Sequence, residues 1–434
     1  MKHAILFTAF CICFAACGED TAFIEALRAL AQPLDDSRDA LVERLAGADL
    51  VLMGEASHGT AEYYTLRGEL SLRLLDEHGF RFVAVEGDWN SIHRLHRFVT
   101  GQTDPEGGAR ELMQGFDRWP QWMWANEEFA DFVEALRVWN LQRPPEQRAG
   151  LFGIDVYGME DAIRELPGHL EPVDPELAER VRQSLDCFSR FLGNMGAYAR
   201  AAQVGPLSPC GGAADGVLRR IREHIDDHPE RWSDGDALHA LQMARVIQSA
   251  ERHYRTMAWG GAASWNHRAT HFFETAQHLL EYYGPESRGI VWAHNTHIGD
   301  ARANAMGQTG QHNIGQLARE ALGPENVAAL GFGTRQGTLL AGRQWGGPRQ
   351  TLTKPPAPPG TLEDLKHRAA PGDHVFFLND APEVLEQTIG HRAAGVIYHP
   401  EREYPGNYVP TSLSRRYDVF IFLETTRALT PLHP

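Results

Sequence analysis

Four short apolar segments of this chain each run into an acidic residue or a histidine, and this pattern constrains the fold most. Nearly all their residues are apolar, which is typical of parallel strands buried on both faces. In an open α/β sheet, ligands bind in the crevice beyond the carboxyl ends of the strands. Four titratable strand ends therefore predict one shared pocket. The segments and the polar residues that follow them are 50–53 with Glu55 and His58, 82–85 with Glu86 and Asp88, 151–154 with Asp155, and 289–293 with His294 and His297.

Length, composition and charge narrow the class of protein. The 434 residues are enough for one large domain or two, and hydrophobic and charged contents of 43% and 23% are ordinary for a soluble globular protein. A net charge of −16, without any basic run, argues against nucleic acid or an anionic membrane surface as a partner. The expected partner is a small molecule. No cofactor is predicted.

The N-terminus has the pattern of an export signal. Lys2 precedes an apolar run over 4–16, and small residues lead to Cys17, so residues 1–17 are predicted to be a signal peptide with a lipobox. Lipidated Cys17 would tether a periplasmic or membrane-anchored lipoprotein to the membrane. The alternative is a cytoplasmic enzyme whose N-terminal segment is simply apolar.

Two cysteines remain beyond the leader and its lipobox. Cys187 and Cys210 are close enough in sequence to form one disulfide in an oxidising compartment. The alternative is a pair of free thiols in a helical region.

The coarse element pattern predicts an α/β fold, in which a mostly parallel central sheet is flanked by helices. We expect one catalytic domain over 22–434, with a large helical insertion at about 173–283. Helical spacing predicts helices over 21–45 and 60–78. Further strands are predicted near 326–332, 374–378, 394–398 and 418–423.

His58 is the first candidate for chemistry. An imidazole titrates near neutral pH, so it can take a proton from water at working pH. Glu55 and Glu86 can fix its tautomer or stabilise its cation. Arg67 lies four residues after Tyr63 beside the apolar stripe of the next helix, where it could reach back to the pocket.

The neighbouring polar residues leave alternatives open. Ser57 precedes a helix but does not match a nucleophile elbow, so helix capping is the preferred interpretation. His294 and His297 could bind a metal, or could act without metal as oxyanion donors or as a second acid/base, which we favour. Asp88 and Asp155 are predicted to contact substrate. Trp122 joins them from an aromatic cluster that could line a cleft, although such clusters are more often core.

At these residues the chain resembles the erythromycin esterase family. The resemblance rests on GEASHGTAEYYTLRGEL, GFRFVAVEGDW, LFGIDVYGM, SWNHRATHFFETAQHLL and VWAHNTHIGDARANAMGQTGQHNIGQLARE, and on a C-terminal stretch beginning AAGVIYHPEREYPG. It implies hydrolysis of a cyclic ester by activated water, without a covalent intermediate. It also implies His58 as general base, surrounded by Glu55, Arg67, Glu86, His294 and His297.

The resemblance leaves the substrate open. SWNHRATHFF is similar to the branch of the family for which macrolide resistance is not established, so the substrate need not be an antibiotic. Two alternative functions remain. One is a metal-dependent hydrolase that uses His58, His294 and His297, and the other is a periplasmic protein that binds a small ligand without turnover. The surplus of acid/base groups argues against the second, because binding sites are usually mainly apolar.

Overall fold

A computed structural model describes residues 20–204, 210–257 and 259–433. The predicted leader, with Cys17, lies outside the described residues. Within them, no helix is both long and apolar enough to cross a membrane.

Within the described residues, nine strands form one mixed sheet and two more form a separate antiparallel pair. The strands are β1 Gln32–Pro33, β2 Leu50–Met53, β3 Phe82–Asp88, β4 Gly150–Asp155, β5 Gly289–Trp292, β6 Val327–Gly342, β7 Arg349–Lys354, β8 His374–Phe377, β9 Thr388–Arg392, β10 Tyr408–Ser412 and β11 Val419–Thr426. The order across the sheet is β1-β8-β11-β6-β2-β5-β3-β4, and β7 pairs with β6.

Helices cover both faces of the sheet. They are α1 over 20–30, α2 Arg38–Ala46, α3 Ala61–His78, α4 Trp89–Val99, α5 Gly108–Gln114, α6 Glu127–Leu141, α7 Met159–Leu170, α8 Pro175–Leu185, α9 Met195–Val204, α10 Gly211–Asp227, α11 Asp234–Met257, α12 Ala263–Tyr283, α13 Asn295–Ile298, α14 Ala305–Gln308, α15 Ile314–Leu322, α16 Leu362–Ala369, α17 Glu403–Gly406 and α18 Leu413–Arg416. The fold is α/β, as predicted.

Two hydrophobic cores lie on opposite faces of the sheet. Along β2, Leu50 and Leu52 point into a core that includes α7, α8 and α10–α12, whereas Val51 and Met53 point into a core that includes α2–α6. Because successive strand side chains alternate between faces, an unbroken apolar strand supplies both cores. The strand is thereby fixed between two layers of helix.

Six neighbouring strands, from β11 through β6, β2, β5 and β3 to β4, run parallel. In this register Met53 pairs with Trp292, and Trp292 pairs with Val85. The polar residues that follow these strands therefore leave the sheet at one level of one edge. This is the edge where the sequence predicted the pocket.

Two predicted elements are wrong. The helix expected over 21–45 is interrupted, since Pro33 lies in the short strand β1, which pairs with β8. No strand forms over 394–398, where Ala394 and Ile397 make only isolated bridges, and β9 pairs with β10 instead. In both places a tertiary pairing overrides the local apolar pattern.

The region predicted as a helical insertion, 173–283, contains α8–α12. Cys187 and Cys210 form a disulfide there, with their Cα atoms 5.9 Å apart and a separation of 23 positions in sequence. Cys210 is buried. The bond joins the segment after α8 to the residue that precedes α10.

Replacing both cysteines by serine should lower the free energy of unfolding by about 3 kcal/mol, because the bond restricts the unfolded chain. Urea unfolding of the oxidised protein and of Cys187→Ser/Cys210→Ser measures this difference. Reduced wild-type protein should match the double variant. Equal stability of oxidised and reduced wild type would contradict the prediction.

Candidate active site

The turn after β2 brings Glu55 and His58 side by side. Two glycines of this turn have no space for a side chain. A Cβ on Gly54 would lie 2.0 Å from Asn295 Oδ1. A Cβ on Gly59, whose φ is +73°, would lie 2.0 Å from the Leu340 carbonyl oxygen. The His58 amide donates to the Ala394 carbonyl at 3.0 Å. The backbone of the turn is therefore held on several sides.

His58, Glu55 and Arg67 form a buried chain of hydrogen bonds. His58 Nδ1 donates to Glu55 Oε1 at 2.5 Å, and Arg67 Nη2 donates to Glu55 Oε2 at 3.0 Å. Arg67 is fully buried, with its guanidinium carbon over the rings of Tyr64 and Trp292 at 4.6 and 5.0 Å. With Nδ1 bound to Glu55, Nε2 is the His58 nitrogen left to accept a proton.

Glu55 controls the protonation of His58. Burial by itself lowers the pKa of His58, but the charge of Glu55, their hydrogen bond and the charge of Glu86 raise it, and the net result lies above the usual value. Because the pKa of His58 is raised, the ring loses its proton at a higher pH than an ordinary histidine does. Activity that needs neutral His58 should rise with pH accordingly.

His294 lies against His58, with ring centroids 4.8 Å apart. The Thr296 amide donates to His294 Nδ1 at 3.2 Å, which assigns the proton to Nε2. Burial and the charge of His58 hold the pKa of His294 well below its usual range, so its ring is neutral. Nε2–H is buried and has no partner within the described residues. It is a free hydrogen-bond donor beside the proposed base.

Glu86 connects the two sides of the pocket. Its Oε2 accepts from the His294 amide at 2.9 Å and its Oε1 accepts from Arg268 Nη2 at 2.7 Å. Burial raises the pKa of Glu86, but neighbouring His297 and Arg268 outweigh this and hold the pKa well below its usual range. Glu86 is thus an anion at neutral pH.

Arg268, on α12, is the main site residue that the sequence analysis missed. It donates to Asp155 through Nε at 2.8 Å and through Nη2 at 2.7 Å, and Nη1 lies 3.0 Å from His297 Nε2. The same Nε2 lies 3.4 Å from Glu86 Oε1. Burial lowers the pKa of His297, and the charge of Glu86 opposes this only in part. Arg268 does not follow a strand, so the pattern of strand ends gave no signal for it.

A cavity of about 290 Å³ opens above these groups. Its polar floor is surrounded by aromatic and apolar side chains, and Trp345, which is 60% exposed, lies at its rim. The lining residues are His58, Glu86, Arg118, Pro120, Met123, Trp124, Asp155, Tyr157, Trp265, Arg268, His294, Thr296, His297, Trp345, Ala393, Gly395 and Val396.

Four predicted site residues do not line this cavity: Glu55, Arg67, Asp88 and Trp122. Arg67 lies behind Glu55. Asp88 is held by Arg118, whose Nη2 donates to it at 2.8 Å, and reaches the cavity only through that partner. Trp122 is buried in the core on the α2–α6 face; Trp124, two residues later, takes the lining position expected for it.

The capping interpretation for Ser57 is wrong. Thr60 is the N-cap residue of α3 and makes no side-chain capping bond. Ser57 Oγ instead lies 2.7 Å from Thr60 Oγ1 and 3.3 Å from Lys354 Nζ. The serine belongs to a buried polar cluster below His58.

A larger cavity of about 690 Å³ lies elsewhere, between α4, α7 and α11. Histidines 93, 96, 169 and 239 line it, and none of the residues predicted for catalysis does. Size therefore does not identify the active site here. Across 20–204, 210–257 and 259–433, no three histidine, cysteine or acidic side chains are grouped so that they could hold a metal ion.

The family model for erythromycin esterase matches residues 75–426. The chain belongs to the erythromycin esterase family. The match includes Glu86, His294 and His297, whereas the turn with Glu55 and His58 precedes it. Membership supports, at the level of the family, a hydrolase that acts on esters.

Three solved structures share the fold. A protein from Bacillus cereus has a TM-score of 0.77 at 17% identity, covering 96% of this chain and 99% of that one. A protein described as a succinoglycan biosynthesis protein has a TM-score of 0.74 at 17% identity, covering 95% and 98%. A histidine-to-asparagine mutant of the erythromycin esterase EreC, in its open conformation, has a TM-score of 0.66 at 14% identity, covering 90% and 94%.

Glu55→Gln should lower the pKa of His58, because it removes the charge that most raises that pKa. NMR titration of the His58 ring measures the shift directly. In any assay of turnover, the acidic limb of the pH profile should move to lower pH. Glu62→Gln is the control, since Glu62 pairs with Arg427 and lies outside the chain of bonds to His58. An unchanged His58 titration in Glu55→Gln would refute this assignment.

Proposed function

We propose that this family member hydrolyses a carboxylic ester, of the macrolactone type, with water activated by His58. The observation that carries the proposal is the buried chain Arg67–Glu55–His58 at the floor of a cavity. It holds one imidazole in a single tautomer, with Nε2 as the free base. A group oriented in this way is what general base catalysis requires.

The reaction needs no covalent enzyme intermediate. His58 Nε2 takes a proton from water as the oxygen attacks the ester carbonyl carbon. The tetrahedral intermediate then collapses, the bond from carbon to the alcohol oxygen breaks, and the leaving alkoxide takes the proton from His58. Glu55 stabilises the imidazolium that exists between the two transfers.

His294 is suited to the oxyanion of that intermediate. Its Nε2–H is a neutral, preorganised donor in a buried site, where such a bond stabilises developing charge more than it would in water. Its orientation is set by Thr296 and by Glu86, which accepts its backbone amide. Glu86 and Asp155 are both engaged by Arg268, so neither is an isolated anion that would repel the oxyanion.

His58→Asn should lose about 10²–10⁴-fold in kcat, because the amide cannot take the proton from water. KM should change little. His228→Asn, at a histidine that is 45% exposed and pairs with Glu230, is the matched control. A folded His58→Asn enzyme with nearly full activity would remove His58 from the mechanism.

The metal-free mechanism has support in the site. His297 Nε2 is engaged by Arg268, so this nitrogen is not free to bind the metal of the rival mechanism. Dialysis against a chelator should leave activity within twofold. Loss of activity that Mn²⁺ or Zn²⁺ restores would favour the metal-dependent rival.

The experiment that tests the function itself is a substrate panel. The protein is incubated with macrolactones and with simple esters whose acyl chains increase in length, and products are followed by mass spectrometry. The aromatic lining leads us to expect hydrolysis of esters with a substantial apolar part. Binding of a panel member at micromolar affinity without any product would favour the non-catalytic binding protein.

A further inference from the structure

We propose that Lys354, on β7, is a positioning residue for His58. It lies below the turn that carries this histidine and does not line the cavity, so it acts through the turn and not on substrate. The inference rests on the proposed role of His58 in ester hydrolysis, and it adds a residue to which neither the pattern of strand ends nor the family resemblance drew attention.

Lys354 is 1% exposed, and its amine lies among three hydroxyl groups. Nζ is 2.7 Å from Thr426 Oγ1, 3.1 Å from Thr60 Oγ1 and 3.3 Å from Ser57 Oγ. Ser57 and Thr60 lie on either side of His58, and Thr426 is the last residue of β11. One amine thus ties the turn to the end of a strand in the sheet.

Such a lysine needs an explanation, because burying an amine is unfavourable unless its hydrogen bonds are satisfied. No ion pair involves Lys354 among the residues that the structure describes. Burial and the charge of Arg392 hold its pKa well below the usual range. Either as amine or as ammonium, it can bond to all three hydroxyls, since a hydroxyl both donates and accepts.

The position of the amine matters because Ser57 and Thr60, to which it bonds, flank the histidine whose ring bonds to Glu55. The bond from Nδ1 to Glu55 is 2.5 Å long, and it depends on where the turn places the ring. Thr60 begins α3 without a side-chain cap, so its hydroxyl is free to bond to Lys354. Loss of the amine would leave the Ser57 and Thr60 hydroxyls bonded only to each other among the described residues, and the residues on either side of His58 would lose their side-chain bonds to the end of β11.

The test compares the two lysines that are buried in the part of the chain that the structure describes. Lys354→Met removes the three hydrogen bonds and keeps the volume. Lys366→Met makes the same change on α16, where the amine lies 3.5 and 4.0 Å from the rings of Phe376 and Phe420 and has no hydrogen-bond partner within the described residues. Lys366 therefore controls for removing a buried amine as such.

Lys354→Met should lower kcat by about 10- to 100-fold at nearly constant KM, because a small misplacement of a catalytic group is costly. Lys366→Met should retain wild-type kcat. A second readout needs no substrate: the proton between His58 and Glu55 should give a downfield NMR signal in wild type and Lys366→Met, and a broadened or missing signal in Lys354→Met.

A folded Lys354→Met protein with wild-type kcat and an unchanged downfield signal would overturn the proposal. If that variant does not fold, Thr426→Val, which removes the shortest of the three bonds, is measured by the same criteria and decides in the same way. If the wild-type protein hydrolyses no ester, the proposed function fails, and the NMR comparison alone decides the position of His58.

Discussion

The site depends on the burial of three carboxylates at one edge of the sheet. Glu55, Glu86 and Asp155 are all at most 4% exposed, and a buried charge without a partner is strongly destabilising. Two guanidiniums compensate them. Arg67 comes from α3 on one face of the sheet, and Arg268 comes from α12 on the other face. Each helical layer thus supplies one arginine that forms ion pairs with the carboxylates at the strand ends.

This charge compensation accompanies opposite pKa shifts of two histidines that lie side by side in space, His58 and His294. His58 bonds to a carboxylate, which raises its pKa, whereas His294 accepts from a backbone amide and remains neutral. Their ring centroids are only 4.8 Å apart. The same type of side chain therefore has a raised pKa at one position and a lowered pKa at the other, through environment alone.

The polar ends of the buried strands could be predicted because parallel strands place their carboxyl ends together. This brought Glu55, His58, Glu86, Asp155, His294 and His297 to one edge from sequence alone. Arg268 could not be found in this way, since it is 113 residues from Asp155 and reaches it only through the docking of α12. The aromatic cluster indicates Trp122 and not Trp124 as a lining residue, because composition does not tell which side of a short turn faces the cavity. The segment 394–398 is apolar enough for a strand, but its backbone pairs with the His58 turn instead.

The long strand β6 has a further consequence. Its first half pairs with β2 and β11, and its second half leaves them to form a hairpin with β7. Trp345, at the tip of this hairpin, lies at the cavity rim, while Lys354, at its base, pairs with Gly337 beside the sheet. The tip can therefore accept insertions, deletions or a different side chain while the register at the base stays the same. A change at the tip therefore alters the rim of the cavity and leaves in place the strand ends that carry His58, Glu86 and His294.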